Sequence, residues 1–368
     1  MKYISQLKLK EFAGKICLLR VDLNIEPNER IKNHLRLKSI IPTINLLIKN
    51  NIKVVILSHR GRPQKIDKKL SLKPFSLIIS NELKEKVEFF PTFQFRKNKE
   101  KIIKSKNRVF LFENLRFLKG EEKNDEKLAK QLAELGDFYI NDAFAVSHRK
   151  NSSIVAITKY LPAYFGLLME KEIKNLNRVI KYYHHPFVII IGGAKISDKI
   201  GVIKNFWHKA DYFIFGGGPA NTFLAANGVP IGESLIDKSQ ILNLKSIKNL
   251  FKQKIVLPVD VKIKNKKILD IGEKTVKTYS AIIKDSKTVI WNGPMGFFEK
   301  KGFEKGTLGI WKAILKNKKA YIVVGGGETI ASLKLLKNSR VPGNVFLSTG
   351  GSAMLEYLSG KKLPGINV

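Results

Sequence analysis

Cysteine is nearly missing from this chain. Cys17 is the single thiol in 368 residues, so no internal disulfide can form and an oxidising compartment is not indicated. No stretch reaches the roughly 20 apolar residues that a membrane-spanning helix needs. The amino-terminal MKYISQLKLKEFAGK is broken by Lys8, Lys10, Glu11 and Lys15, which leaves no signal-peptide core. A cytoplasmic protein is expected. Two nucleotide-binding signatures are also missing. There is no G-x-x-x-x-G-K-[ST] loop, and no G-x-G-x-x-G with an acidic residue at ribose spacing. The first absence excludes a P-loop protein and the second weakens a dehydrogenase reading. No Ser-His-Asp or Cys-His arrangement is evident, so covalent catalysis has no support.

Acidic residues are outnumbered, 31 against 67 basic ones, for a net charge of +36. Such a balance suits nucleic acid or an anionic membrane surface. The lysines are spread along the whole chain, however, and Lys, Ile and Asn share A/T-rich codons, so compositional bias is the preferred reading. Arginine is a different matter. Only 11 of the basic residues are Arg, and nine of these lie in the first 149 residues. A guanidinium grips phosphate or carboxylate with two parallel bonds, which ammonium does not. Arg30, Arg96 and Arg108 read as solvated surface. Arg20, Arg36, Arg62, Arg116 and Arg149, each beyond an apolar run or beside a turn, read as an anion site.

At this length two domains are expected. Short apolar runs alternate with helical patterns, the signature of α/β domains with parallel sheets. In the first half, strands are predicted at KICLLRV (15–21), KVVILSH (53–59), RVFLFEN (108–114) and DFYINDA (137–143), with helices over 71–86, capped by Ser71, and 124–135, starting at Asn124. The second half repeats a strand, a glycine cluster and a helix: FVIIIGGAKISDKIGVI, YFIFGGGPANTFLAA, YIVVGGGETIASLKLL and VFLSTGGSAMLEYLSG. Glycine is skewed opposite to arginine, with 5 of 27 in residues 1–166 and 22 after. Four such corners at the carboxyl ends of parallel strands point to a phosphate-bearing ligand. Lys195 and Lys199, four apart in GGAKISDKI, would share one face of a helix start. They suit a polyphosphate, unless they are surface lysines in a lysine-rich chain.

Taken together and in order, RVDLN (20–24), SHRGRP (58–63), ENLRF with GEEKND (113–125), NDAF…HR (141–149), GGAKISDKI (192–200), GGGPANTFL (216–224), LPVD (257–260), WNGPMGFFE (291–299), GGGET (325–329) and STGG…LPG (348–365) resemble the phosphoglycerate kinases over nearly the whole chain. The resemblance implies two Rossmann-like domains, each a parallel sheet flanked by helices, joined by a hinge helix, and the segment 161–180 reads as that helix. Residues 1–165 would bind 3-phosphoglycerate, residues 166–352 the nucleotide, and the tail from about 353–368 would return to the first domain. It implies reversible phosphoryl transfer from 1,3-bisphosphoglycerate to MgADP, a Mg²⁺ requirement, small-molecule partners without nucleic acid or membrane, and a monomer.

The same resemblance assigns residues. Arg62, Arg116, Arg149 and His59 would hold the far phosphate of the glycerate, with Arg20 in the same patch. Arg36 would orient the reacting carboxyl group, and Asp22 and Asn24 would contact the hydroxyl and carboxyl end. Lys195 would follow the transferring phosphoryl group and Lys199 the nucleotide phosphates. Gly216, Gly217 and Asn292 would line the nucleotide pocket, Glu299 would reach the ribose, and Gly327, Glu328 and Thr329 would form the metal and phosphate corner, with Glu328 on Mg²⁺ directly or through water. Gly350 and Gly351 would present the last helix to the transferred group. Some positions leave the family pattern: Glu328 stands for Asp, Ala145 for glycine, Asn151 for histidine, Arg60 for an apolar residue, and Pro219 and Ser352 fall beside glycine runs. A nucleic-acid-binding protein and a non-catalytic relative are the alternatives.

Overall fold

A computed structural model describes residues 1–26, 34–242, 244, 253–336 and 340–367. The chain divides into two compact units, Met1–Ile173 with Lys362–Val368, and Lys174–Lys361. Both are α/β units, each built on a parallel sheet flanked by helices. Among the described residues no helix is long and apolar enough to cross a membrane.

The first sheet runs in the order Lys2–Tyr3, Ala163–Phe165, Phe138–Asp142, Ile16–Val21, Lys53–Leu57, Val109–Phe112, Val87–Phe90, with every pairing parallel. Side chains alternate across a strand, so each strand feeds two cores. Cys17, Leu19 and Val21 join Val54 and Ile56 on one face, while Ile16 and Leu18 join Val55 and Leu57 on the other. The chain leaves Ile16–Val21 towards one side of the sheet and returns to Phe138–Asp142 on the other. Their carboxyl ends therefore form a topological switch point, the place where open sheets bind ligands.

The second sheet runs Ile255–Val256, Tyr212–Phe215, Phe187–Ile191, Thr288–Asn292, Tyr321–Gly325, Val345–Leu347. Counted along the chain this is the doubly wound order 3-2-1-4-5-6, and its switch point lies between Phe187–Ile191 and Thr288–Asn292. Trp291 and Trp311 are buried in its core and meet edge to face at 4.6 Å. A separate two-stranded antiparallel ribbon, Val261–Lys264 with Lys267–Ile271, belongs to the same unit.

Several boundaries move for identifiable reasons. The helix expected from Ser71 is Lys73–Leu83; the Ser71 oxygen accepts from the Lys73 amide at 3.1 Å, as a cap does, while its hydroxyl donates to Glu113. The helix expected from Asn124 is Glu126–Ala133, capped by Asp125, which accepts from the Leu128 amide. Asn124 itself adopts a left-handed turn, and its side chain accepts from the Ala156 amide. The joining helix is Leu167–Lys181, since residues 163–165 form a strand instead. The division between units falls inside this helix, eight residues beyond the expected 165/166. The chain that returns to the first unit begins at Lys362, because Ser352–Leu358 is a helix of the second. The tail is held there by Gly365, whose amide donates to Ser147 O at 2.8 Å and whose carbonyl accepts from Asn141 at 3.1 Å.

Asp142 anchors the start of the joining helix. It is fully buried, accepts from the Thr43 hydroxyl at 2.6 Å and from the Met169 amide at 3.0 Å, and Thr43 also receives the Leu167 amide. Gly166 is required at this corner, where a Cβ would lie 2.3 Å from the carboxyl carbon. Burial pushes the Asp142 carboxyl up to about 7, against hydrogen bonds from Thr43 and from the Met169 and Leu168 amides. The folded-state value lies above the unfolded value near 4. Its stabilising contribution is therefore full below about pH 4 and is lost as pH rises through about 7. Asp142→Asn should reduce the fall in unfolding free energy between those pH values by an amount on the order of a few kcal/mol. Asp270, which burial also pushes up to about 7, adds a slope of the same sign, and His59, which burial lowers, adds one of opposite sign. Urea titrations at a series of pH values measure this, and an unchanged slope would assign the ionisation elsewhere.

Candidate active site

In the first unit the switch point is lined by arginines, but they are not equally available. Arg20 sits on strand Ile16–Val21 at 1% exposure. Its Nε donates to Ser153 at 2.9 Å, one terminal nitrogen donates to the Val21 carbonyl, and the other donates to His59 Nδ1 at 3.2 Å and faces Glu121 at 3.9 Å. Arg20 is thus committed to the fold. It does set the state of His59: because a guanidinium only donates, Nδ1 must accept, which leaves Nε2 carrying the proton. Burial, followed by the charges of Arg20, Arg116, Arg149 and Arg36, holds the His59 imidazole well below its ordinary value. A neutral donor of fixed tautomer results.

Arg36 lies in the first turn of Leu35–Lys49, whose N-cap is His34, accepting from the Arg36 amide at 3.2 Å. Its Nε faces Asp22 at 3.3 Å and one terminal nitrogen donates to the Asn24 carbonyl. Asp22 in turn accepts from the Asn24 amide, and Asn24 Oδ1 accepts from the Gly61 amide at 2.7 Å. Asp22 and Asn24 therefore shape the loop that aims Arg36, and among the described residues the second terminal nitrogen of Arg36 and the side-chain nitrogen of Asn24 have no partner. Arg60, the departure from an apolar residue, is buried and donates through Nε to Ile25 O at 2.7 Å, with its guanidinium 5.3 Å from the Phe75 ring. It braces the same loop from behind.

Arg116, Arg149 and Arg62 complete the patch. Arg116 donates to the Gly61 carbonyl, and its Nε lies 3.2 Å from Glu122. Arg149 donates to His148 at 3.3 Å and faces the same Glu122 oxygen at 3.9 Å. Arg62 is exposed and makes no hydrogen bond or ion pair among the described residues. Arg96 pairs with Glu100 and Arg108 with Glu85, away from this patch, and Arg30 lies outside the described residues. Sequence reasoning passed over Glu121, Glu122, His148 and His34. Glu121 is the buried carboxylate behind the patch, accepting from Ser153 Oγ at 2.6 Å, the Ser153 amide at 3.1 Å and Asn151 at 3.3 Å. The GEEKND motif was the signal that could have found both glutamates, and Asn151 is seen serving one of them.

In the second unit, three loops leave the strand ends and pack backbone against backbone. Gly193 N donates to Pro294 O at 2.8 Å, Gly218 N to Gly193 O at 2.8 Å and Gly217 N to Met295 O at 2.8 Å. The glycines make this approach possible. A Cβ on Gly218 would lie 1.9 Å from Ala194 O, and one on Gly192 2.1 Å from Pro294 O. Gly216 and Gly217 are spent in the same way, with Gly217 also at φ +56. The glycines open to a ligand are others: a Cβ on Gly327 or Gly351 would meet nothing within 4 Å. Pro219 lies in the first turn of Gly217–Ala226, where its missing N–H costs little.

Around these loops the remaining residues divide between framework and open surface. Asn292 ends its strand, largely buried, with its amide nitrogen 3.0 Å from where a Gly326 Cβ would be. The Thr329 hydroxyl accepts from Gly293 N at 2.7 Å. Glu328 and Glu299 are exposed. Gly350 N donates to Ser348 at 3.1 Å, just ahead of helix Ser352–Leu358.

The two lysines do not share a helical face. Lys195 lies in the loop before the 3₁₀ turn Ser197–Lys199 and is exposed, whereas Lys199 is buried and donates to Lys195 O at 2.9 Å. The glycine loops lengthen this corner, so helix Ile200–Phe206 begins only after Lys199. Burial lowers the Lys199 ammonium, opposed by Asp198 and Glu328.

The family model described as phosphoglycerate kinase matches residues 7–361. The chain belongs to the phosphoglycerate kinase family. It is 40% identical to the phosphoglycerate kinase of Pseudothermotoga lettingae, over 99% of this chain and 98% of that one. It is 42% identical to that of Lactobacillus gasseri, over 99% and 97%. Among solved structures, the phosphoglycerate kinase of Pyrococcus horikoshii superposes with a TM-score of 0.87 at 32% identity, covering 100% of this chain and 98% of that one. Of the residues assigned by resemblance, Arg20 and Asn292 lie on strands, Arg36, Glu328 and Thr329 in the first turns of helices, and Lys199 in a 3₁₀ turn.

The distinction between packed and open glycines is testable. Gly218→Ala should destabilise the second unit by about 1–3 kcal/mol, the cost of overpacking, measured by urea unfolding. Gly327→Ala should leave stability within about 0.5 kcal/mol while raising the KM for nucleotide. A destabilised Gly327→Ala would refute its assignment as an open face.

Proposed function

We infer that the chain catalyses the glycolytic phosphoglycerate kinase reaction, the reversible transfer of a phosphoryl group from 1,3-bisphosphoglycerate to ADP. A terminal phosphate oxygen of ADP attacks the acyl phosphorus. The bond from phosphorus to the acyl oxygen breaks, and the carboxylate of 3-phosphoglycerate leaves. The observation that carries this reading is the pairing of two ligand-ready switch points in one family member, one rich in arginine and one in open glycine and lysine. Residues 1–165 are proposed to take the glycerate and 166–352 the nucleotide.

On this reading Arg62, Arg116, Arg149 and the Nε2 proton of His59 hold the far phosphate, with Arg20 positioning His59. Arg36 uses its free terminal nitrogen on the carboxyl oxygens, where leaving-group charge develops, and Asn24 reaches the hydroxyl. Lys195, exposed on its loop, is free to move with the transferring group, while Lys199 is fixed and serves the nucleotide phosphates. Gly351 offers its backbone N–H to the equatorial oxygens, while Gly350, bonded to Ser348, holds that corner in place. No side chain needs to become covalently attached. Water must be kept from both an acyl phosphate and ATP, which argues for closure of the two units about the joining helix.

Mg²⁺ fits the residues present. Among the described residues no group of three His, Cys, Asp or Glu could hold an ion alone, and Glu328 is a single exposed carboxylate beside the open Gly327. That is the donor set for an ion that arrives on nucleotide phosphates and keeps several waters. When bound it neutralises phosphate charge, and the extra methylene of Glu328 suits contact through water. Activity as a monomer in the cytoplasm completes the proposal.

ATP formation from 1,3-bisphosphoglycerate and MgADP by the purified protein tests the function directly, and its absence would favour a non-catalytic relative. Lys195→Ala should lower kcat by about 10²–10³ with a modest change in KM. A loss confined to KM would remove Lys195 from the transition state. Arg62→Lys should raise the KM for 3-phosphoglycerate several-fold although the charge is kept, because a fork is replaced by a point. An unchanged KM would argue against bidentate binding there.

A further inference from the structure

Glu122 occupies a position that the proposed function leaves unexplained. One of its carboxylate oxygens faces Arg116 Nε at 3.2 Å and Arg149 at 3.9 Å. The two arginines come from separate segments, the 3₁₀ turn Leu115–Phe117 and the stretch just after Phe144–Val146. A single oxygen shared between two guanidiniums is what a phosphate oxygen would supply. The fit is poor, however. Arg116 Nε is buried and lacks a hydrogen bond despite the 3.2 Å approach, so the carboxylate neutralises without satisfying the donor. The exposures are also unequal: the Arg116 side chain is 2% exposed and that of Glu122 is 51%. The arginine is fixed in the wall, and the glutamate can swing away into solvent.

We propose that Glu122 is an internal stand-in for the phosphate of the glycerate, holding Arg116 and Arg149 together until a better acceptor displaces it. Without an anion, the guanidiniums of Arg116, Arg149 and Arg20 repel one another, as the lowering of Arg116 by both neighbours, secondary to its burial, indicates. Glu122 offsets that repulsion through one long and one misaligned contact. A tetrahedral phosphate can give Arg116 Nε a properly directed oxygen and Arg149 another. Every ligand at this site must displace the carboxylate first, so Glu122 sets a threshold. Weak or singly charged anions fail to displace it, and a dianionic phosphate succeeds. The proposal rests on the assignment of these arginines to the glycerate phosphate.

Glu122→Gln keeps the shape and removes the competing charge. It should lower the KM for 3-phosphoglycerate about two- to fivefold, the range expected of an ion pair with one exposed partner. The gain should be confined to KM, since Glu122 has left the arginines in both ground and transition states. Sulfate, titrated by calorimetry into the same variant, should bind more tightly by a similar factor. A purely structural glutamate would instead raise KM when neutralised, and that result, or an unchanged KM, overturns the proposal. Arg149→Ala separates the two levels of inference. If it weakens 3-phosphoglycerate while Glu122→Gln does not tighten it, the stand-in role fails and the phosphate site survives. If neither variant moves the KM, the site assignment itself falls. Tighter sulfate in Glu122→Gln would then still show the arginines to be an anion site, for a ligand other than the glycerate.

Discussion

Burying a guanidinium is the constraint from which the first unit follows. Taking a charge out of water costs several kcal/mol unless it is paired and every donor is met. Arg20, at 1% exposure, is met by Ser153, the Val21 carbonyl, His59 and the Glu121 carboxylate. Each partner is thereby fixed. Glu121 is held in place by accepting from Ser153 and Asn151, so the segment after Arg149 is pinned to the GEEKND turn. His59 must present Nδ1 to Arg20 and so offers a proton on its other nitrogen. One buried cation thus orients the donors around it while taking no direct part in binding.

The second unit solves a different problem by a different means. Three loops leave the strand ends within hydrogen-bonding distance of one another and form a backbone floor, which suits the polyphosphate proposed to bind there. Side chains would prevent this, as the Ala194 and Pro294 carbonyls occupy the space where Gly218 and Gly192 would carry a Cβ. Most of the glycine excess therefore builds the floor, and only a few glycines are open above it. Rigidity also separates the lysines. Lys199 is tied to the loop by its bond to Lys195 O, whereas the Lys195 side chain is exposed, as its proposed role requires.

This difference explains what could be read in the sequence. Four of the seven strands of the first sheet were legible to within two residues, because fully buried parallel strands are continuous apolar runs, whereas Lys2–Tyr3, Val87–Phe90 and Ala163–Phe165 were not. The switch points were legible as motifs, since phosphate chemistry restricts residue type. Helix starts were less so. Asn124 has the right chemistry for a cap but is drawn into a bond with the Ala156 amide, which no local pattern reveals. The start of the joining helix shifted because residues 163–165 pair with a strand more than twenty residues away. Glu121 and Glu122 were missed for a related reason. In sequence they are two acidic residues in a polar turn, and only the fold shows one buried behind the arginines and the other facing them.

The +36 charge deserves to be separated from the site. A uniformly positive surface attracts any anion weakly and is screened over about 8–10 Å in physiological salt. The arginines at the first switch point are instead compensated nearby, by Glu121, Glu122 and Asp22. Local neutrality of this kind removes the non-selective part of the attraction and leaves geometry to decide. A ligand gains there only by replacing existing acceptors with better-directed ones, or by reaching donors that the fold leaves over on Arg36, Arg62 and His59. Selectivity for a small, multiply charged phosphate is then a property of a few directed bonds, and it would persist if most of the surface lysines were exchanged for neutral residues.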